Sequence, residues 1–225
     1  MKIDLHVHMK KISSCAKETG EQMAQAALER GIKGIVLLDH NYQTTKEECV
    51  QIEASVPGIK VFRGLELNVA AEHVVIVSSH VVDFPLPEYT KRMLDFKTLS
   101  EWINKTNSLA ILAHPFRYHD DITIDFEQFR PQAIELVGRH VKREHRERIA
   151  GVAKQYGMAV VSVSDSHKGK QLGGYCIETD NDVASEEDLI DSVCYGKYTL
   201  MENQLVPVAT YGRNEKDFWM IRKPI

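Results

Sequence analysis

Asp4, His6 and His8 alternate with Ile3, Leu5 and Val7 in the opening run MKIDLHVHMK. Strand side chains alternate faces, so the three polar groups share one side. Alone, the pattern fits either a pair of metal ligands or a strand with one wet and one dry face. Similar residues follow later apolar runs: Asp39-His40 after GIVLL (34–38), Glu66 after KVFRG (60–64), His114 after LAILA (109–113), and Asp165-Ser166-His167 after AVVSVS (159–164). Imidazole and carboxylate together suit zinc, manganese or iron, whereas calcium takes nearly all oxygen. A carboxylate can bridge two cations, and Glu66 is the only glutamate at one of these ends. On this reading His6, His8 and Asp165 complete one ion, His73 and His114 a second, and His40 and His167 a third. The expected cofactor is therefore two or three divalent metal ions.

Helical patterns separate these runs. Thr19 and Gln22 have capping-box spacing ahead of a Met23, Ala26, Ala27 stripe, and Gly31 is a stop. TTKEECVQIEASV, a segment over about 97–107, REHRERIAGVAKQYG and SEEDLIDSVCYG read as further helices; HVVIVSS (73–79), AIELV (133–137) and YCIET read as further strands. Alternation of strand and helix predicts a parallel sheet, and about seven units in 225 residues favour a closed barrel. The expected class is α/β, a distorted TIM-like (β/α)7 barrel. In such barrels functional residues gather at the carboxyl ends of the strands. Residues 1–225 read as a single domain, with about 201–225 packing as an extension anchored by Phe218 and Trp219.

Hydrophobic content of 43% and charged content of 27% are those of a soluble globular chain, and the net charge of -4 argues against a nucleic-acid backbone or an anionic membrane as main partner. Cys15, Cys49, Cys176 and Cys194 contain no CxxC pair, which suits a reducing cytoplasm. The basic run KREHRER (142–148) reads as the wet face of a helix.

The motifs DLHVH, LDHN, GLEL, EHVVIV, LAHPFR and SDSH stand in the order and approximate spacing of the polymerase and histidinol phosphatase (PHP) family of metal-dependent phosphoesterases, which the chain resembles from residue 3 to about 200. The resemblance implies a barrel of seven strand–helix units, two or three metals, and phosphate-ester hydrolysis. It places metal ligands at His6, His8, His40, Glu66, His73, His114, Asp165 and His167. His80, at the far end of the run from His73, is a competing ligand, because family members with a longer insertion use a histidine there. Asp4 and Asp39 are expected behind the ligands, orienting their imidazoles. Arg117, after HPF, and Arg139 with His140 are expected to meet substrate phosphate.

The chain departs from the family pattern after HxH. A carboxylate or histidine is usual there, whereas KKISSCAKE offers Ser14 or Cys15. Cys15 is either a thiolate ligand for a soft metal or a packing cysteine. The expected reaction is hydrolysis of a small-molecule phosphate ester. The alternatives are a nuclease on the same site, a metal-dependent amidohydrolase and a non-catalytic metal-binding module. An amidohydrolase needs a metal-bridging lysine at a strand end, and these ends offer none.

Overall fold

The N-terminal run forms strand β1 (Lys2–His8), but neither of its faces is wet: every residue from Ile3 to His8 is buried. Hydrogen-bonded neighbours on both sides explain this. One is β2 (Gly34–Leu38), parallel to β1, and the other is β8 (Tyr175–Thr179), antiparallel to it. The computed structural model describes residues 1–84, 86, 95–202 and 206–207. The remaining strands are β3 (Lys60–Val69), β4 (Glu72–Val77), β5 (Leu109–Leu112), β6 (Ala133–Gly138), β7 (Ala159–Val163), β9 (Tyr198–Glu202) and β10 (Val206–Pro207). All ten lie in one sheet, ordered β10-β9-β8-β1-β2-β3-β4-β5-β6-β7.

The sheet curls until the end of β7 meets β1. Val7 bridges Ser166 in parallel, the His8 amide donates to the Ser166 carbonyl at 2.9 Å, and the Ser164 amide donates to Asp4 Oδ1 at 3.1 Å. The result is the expected barrel-like α/β fold, with mixed strand directions in place of an all-parallel sheet. Only Ala70 and Ala71 link β3 to β4, too short for a crossover, so the pair is an antiparallel hairpin. β3 also runs past Gly64, so Glu66 sits inside a strand opposite Val75. Gly64 is there for packing: a Cβ would come within 2.5 Å of Val36 Cγ1.

Five α-helices stand among the described residues: α1 (Gly20–Glu29), α2 (Lys46–Ser55), α3 (Phe96–Thr106), α4 (Arg146–Tyr156) and α5 (Glu186–Cys194). Thr19 and Gln22 form the capping box that starts α1. Val7 packs with Met23, Ala24 and Ala27 of α1 and with Ile52 of α2 in one core; Ile3 and Leu5 join the larger core with residues of α3, α4 and α5. No described helix is long and apolar enough to cross a membrane. Phe218 and Trp219 lie outside the described residues.

Candidate metal centre

β1 aims His6 and His8 into one space, where their Nε2 atoms lie 3.1 Å apart. Two other groups meet there. Asp165, just past β7, brings Oδ1 to 3.4 Å from His6 Nε2 and 3.3 Å from His8 Nε2. Glu66 of β3 brings Oε1 to 3.6 Å from His6 Nε2 and Oε2 to 3.2 Å from His8 Nε2. His6 Nε2, His8 Nε2 and Asp165 Oδ1 form a triangle with edges of 3.1–3.4 Å, the size of one face of a ligand tetrahedron, with the Glu66 carboxylate beside it. An edge of about 3.3 Å puts a centre about 2.0 Å from each corner, which is the zinc–nitrogen distance. Glu66 Oε2 and Asp165 Oδ1 are buried and accept no hydrogen bond from the protein. Orphaned carboxylate oxygens facing imidazole nitrogens are what a cation would satisfy.

Glu66 also meets the neighbouring imidazoles. Its Oε1 lies 2.9 Å from His73 Nδ1 and 3.4 Å from His114 Nε2, and its Oε2 lies 3.0 Å from His40 Nδ1. One carboxylate thus faces nitrogens of five histidines, as a bridge between cations would. Three groups bring one ligand atom from each residue within 4.8 Å of one another: His6, His8 and Glu66; His40, Glu66 and His73; and His8, Cys15, His40 and His167. The eight expected ligands therefore converge, and Cys15 joins them. His80 stands apart: it is exposed, and its Nδ1 lies 3.5 Å from the Ser79 hydroxyl.

Backbone strain marks two of these residues. His114 and Asp165 have φ of 27° and 48°, a region that non-glycine residues enter at a cost. Burial falls outward from the first group. His6, His8, Glu66, His114 and Asp165 are sealed, while Cys15, His73 and His167 are part-exposed.

The orienting carboxylate is one that sequence reasoning missed. Glu135, in the middle of β6, accepts the His6 Nδ1–H at 2.7 Å through Oε1 and the His114 backbone amide at 2.6 Å through Oε2. The first bond fixes the His6 tautomer and leaves Nε2 free to ligate. A charged residue inside the apolar run AIELV was the available signal, because glutamate is almost never buried without a partner.

Asp4 and Asp39 do other work than orienting imidazoles. Asp4 Oδ1 accepts the backbone amides of His6 (3.3 Å) and Ser164 (3.1 Å), tying β1 to the segment after β7. Burial pushes its carboxyl up to about 7 against the pull of those bonds. Asp39 accepts the backbone amides of Ile12 (2.6 Å), Ser13 (2.8 Å) and His40 (2.8 Å), and the Ser13 hydroxyl. It holds the loop that carries Cys15.

Opposite charges set the rest of the electrostatics. Burial opposes ionisation of Glu66, but the His6 charge and the imidazole hydrogen bonds hold it well below the usual carboxylate range. Burial likewise opposes charge on His6, and Asp165, Glu135 and Glu66 together raise it well above an ordinary histidine. Burial would raise the Cys15 thiol, yet hydrogen bonding to His167, His40, His8 and Ser13 brings it down to about 4.

At the rim, Arg117 Nη1 donates to Asp165 Oδ2 at 3.0 Å, and its guanidinium lies 5.0 Å from the centre of the Tyr118 ring. Tyr118 is exposed, and its ring lies 5.7 Å from those of both His73 and His114. His140 Nε2 lies 3.6 Å from Asp165 Oδ2. Burial, with the Arg117, His114 and Arg139 charges, lowers it to about 4 against the pull of Asp165. Arg139 is exposed.

Residues 4–158 match the PHP domain family, and residues 143–198 match a PHP-associated family. A "Probable phosphatase" of Caldicellulosiruptor saccharolyticus is 26% identical over 196 residues, spanning 74% of this chain and 80% of that protein. Two solved structures share the fold. One is a two-domain protein of Bacteroides vulgatus containing a predicted PHP-like metal-dependent phosphoesterase, with TM-score 0.67 and 13% identity over 90% of this chain and 64% of that chain. The other is a lesion-specific endonuclease of Pyrococcus furiosus, with TM-score 0.60 and 16% identity over 89% of this chain and 57% of that one. With two thirds of its length matched to that family model and histidines of four other motifs facing the Glu66 carboxylate, the chain belongs to the PHP domain family of metal-dependent phosphoesterases.

Proposed function

We propose that the protein hydrolyses the phosphate ester of a small molecule, with His6, His8, His40, Glu66, His73, His114, Asp165 and His167 holding divalent metal ions. The observation that carries this reading is the shared space of His6 Nε2, His8 Nε2, Asp165 Oδ1 and Glu66, whose separations fit one ion. When bound, such ions act as Lewis acids and lower the pKa of water from about 15.7 to about 7. The side chains do the rest. Glu66 spans neighbouring ligand groups and fixes their spacing. Glu135 holds a proton on His6 Nδ1 and so turns Nε2 toward the ligand space. Arg117 turns a rigid fork towards the site mouth, where it offers paired N–H groups to phosphate oxygens. Charge on those oxygens in the transition state is met by fixed groups that need no reorganisation.

The phosphatase relative supports a phosphomonoester, as does the chain's net charge of -4, which disfavours a nucleic-acid backbone. The single continuous sheet supports reading 1–225 as one domain, and four free cysteines support a cytoplasmic setting. The test is a panel of a phosphomonoester, a nucleotide diester and single-stranded DNA, run on metal-loaded protein and on the His6→Ala/His8→Ala variant. Metal-dependent turnover of the monoester alone, lost in the double variant, is expected. Full activity in that variant overturns the ligand set. Preference for DNA with a steep salt dependence overturns the substrate class.

A further inference from the structure

Cys15 stands where the family pattern has a carboxylate or histidine, and its surroundings differ from those of a packing cysteine. Cys49 and Cys176 are buried in the apolar core around α1 and α2. Cys15 is part-exposed and ringed by polar groups: Sγ lies 2.7 Å from the Ser13 hydroxyl, 3.7 Å from His8 Nδ1 and 3.8 Å from Asp39 Oδ1. Its ligand atom falls within 4.8 Å of those of His8, His40 and His167.

The loop is held by the protein's own hydrogen bonds. Asp39 takes the amides of Ile12 and Ser13, and the Lys10 amide donates to the Glu18 carbonyl at 2.7 Å. His167 is fixed too, its Nδ1–H donating to the Asp165 carbonyl at 3.1 Å, which leaves Nε2 to ligate. The orphaned oxygen that faces the first group of ligands also borders this one. Glu66 Oε2, almost fully buried, accepts no hydrogen bond, though it lies 3.0 Å from His40 Nδ1 and 3.2 Å from His8 Nε2.

We infer that Cys15, His40 and His167 form a thiolate–bis-imidazole site that selects a borderline-soft ion of the zinc type over manganese. This rests on the metal-dependent reading above and specifies one of its ions. His8 is already turned through Nε2 to His6, Asp165 and Glu66, which leaves three protein ligands and one open position, the arrangement of a zinc site that accepts water or substrate oxygen. A thiolate prefers zinc, whereas manganese favours carboxylate and water. Cys15 ligates as the thiolate, so at neutral pH its bond to the metal displaces no thiol proton.

The experiment strips the full chain with a chelator and titrates it with Co2+, reading absorbance. Wild type is expected to develop a near-ultraviolet thiolate-to-cobalt charge-transfer band that Zn2+ displaces. Cys15→Ser is expected to keep the visible cobalt bands of the other sites but lose this band. Cys15→Asp, which restores a ligand of the family type, is expected to bind without the band. Its preference for zinc over manganese is expected to fall by at least about tenfold, the low end of what loss of even an outer metal partner costs. Cobalt bound by wild type with no thiolate band overturns the inference and leaves the other ions standing. No cobalt bound at all overturns both readings.

Discussion

Replacing Glu135 by Gln is the sharpest perturbation of the centre, because one carboxylate serves two ligands. Its Oε1 accepts from His6 Nδ1–H and its Oε2 from the His114 amide, and all three residues are buried. Gln has one carbonyl oxygen, so its NH2 must face one of the two donors. The His114 amide cannot turn away. The imidazole of His6 can change tautomer, but that puts the proton on Nε2, where the metal would bind. Either outcome leaves a cost. A buried donor without a partner costs about 1–3 kcal/mol, or about 2–12 °C of Tm for a domain of this size. Loss of the partner behind a ligating histidine lowers metal affinity about 10–100-fold, equal to about 1.4–2.7 kcal/mol. Glu135→Ala is the poorer test: it strands both donors at about 2–6 kcal/mol, a large part of a typical total stability. The assay is zinc competition against a chromophoric chelator, with melting of the metal-free protein alongside. Zinc affinity within about twofold of wild type, at unchanged Tm, would refute the reasoning.

Three further outcomes are expected. Asp4 keeps its proton up to about pH 7 in the folded state, while the unfolded carboxyl releases it near 3.8, so this group takes away stability as pH rises between those values, by at most roughly 4 kcal/mol. Asp4→Asn, which cannot ionise, should therefore gain stability relative to wild type as pH rises from about 4 to about 7; a Tm difference that does not change with pH would count against it. In metal-free protein at pH 6, iodoacetamide should modify Cys15, lowered to about 4, and spare the buried Cys49 and Cys176, pushed up to about 12, as peptide mass mapping would show. Arg117→Ala should lower kcat/KM for a phosphomonoester by about 100-fold, and Arg117→Lys should not restore it, because a point charge lacks the fork.

The sequence revealed residues whose chemistry is unusual for their surroundings. Histidines after apolar runs, Glu66, and the Asp165-Ser166-His167 triplet were legible because an ordinary strand end has no use for them, and they converge in space. Less legible were features fixed by distant partners. Glu135 hides in a buried strand, where its partner on β1 is remote in sequence. The roles of Asp4 and Asp39 were misread because a carboxylate next to a histidine in sequence can still spend its lone pairs on backbone amides. Gly64 looked like the end of a strand, while its real constraint is the approach of Val36. β4 was read as a strand, but its antiparallel direction was hidden, since the two-residue Ala70-Ala71 link carries no glycine, asparagine or proline to mark a turn.

The closure between β1 and the segment after β7 has a temporal consequence. Asp4 and Ser164, bonded across that seam, are 160 residues apart, so His6 and His8 leave the ribosome long before Asp165 and His167 exist. On the proposed ligand set, a nascent chain carries half a coordination sphere with nothing to complete it, and the seam is among the contacts of highest contact order, which form slowly. Once closed, ions held by those residues in this form alone would clamp the first strand to the last third of the chain. At a hundredfold excess over Kd, each adds about 2.7 kcal/mol. The catalytic equipment then doubles as the latch of the barrel, and a cell short of metal holds a protein that is easier to open as well as idle.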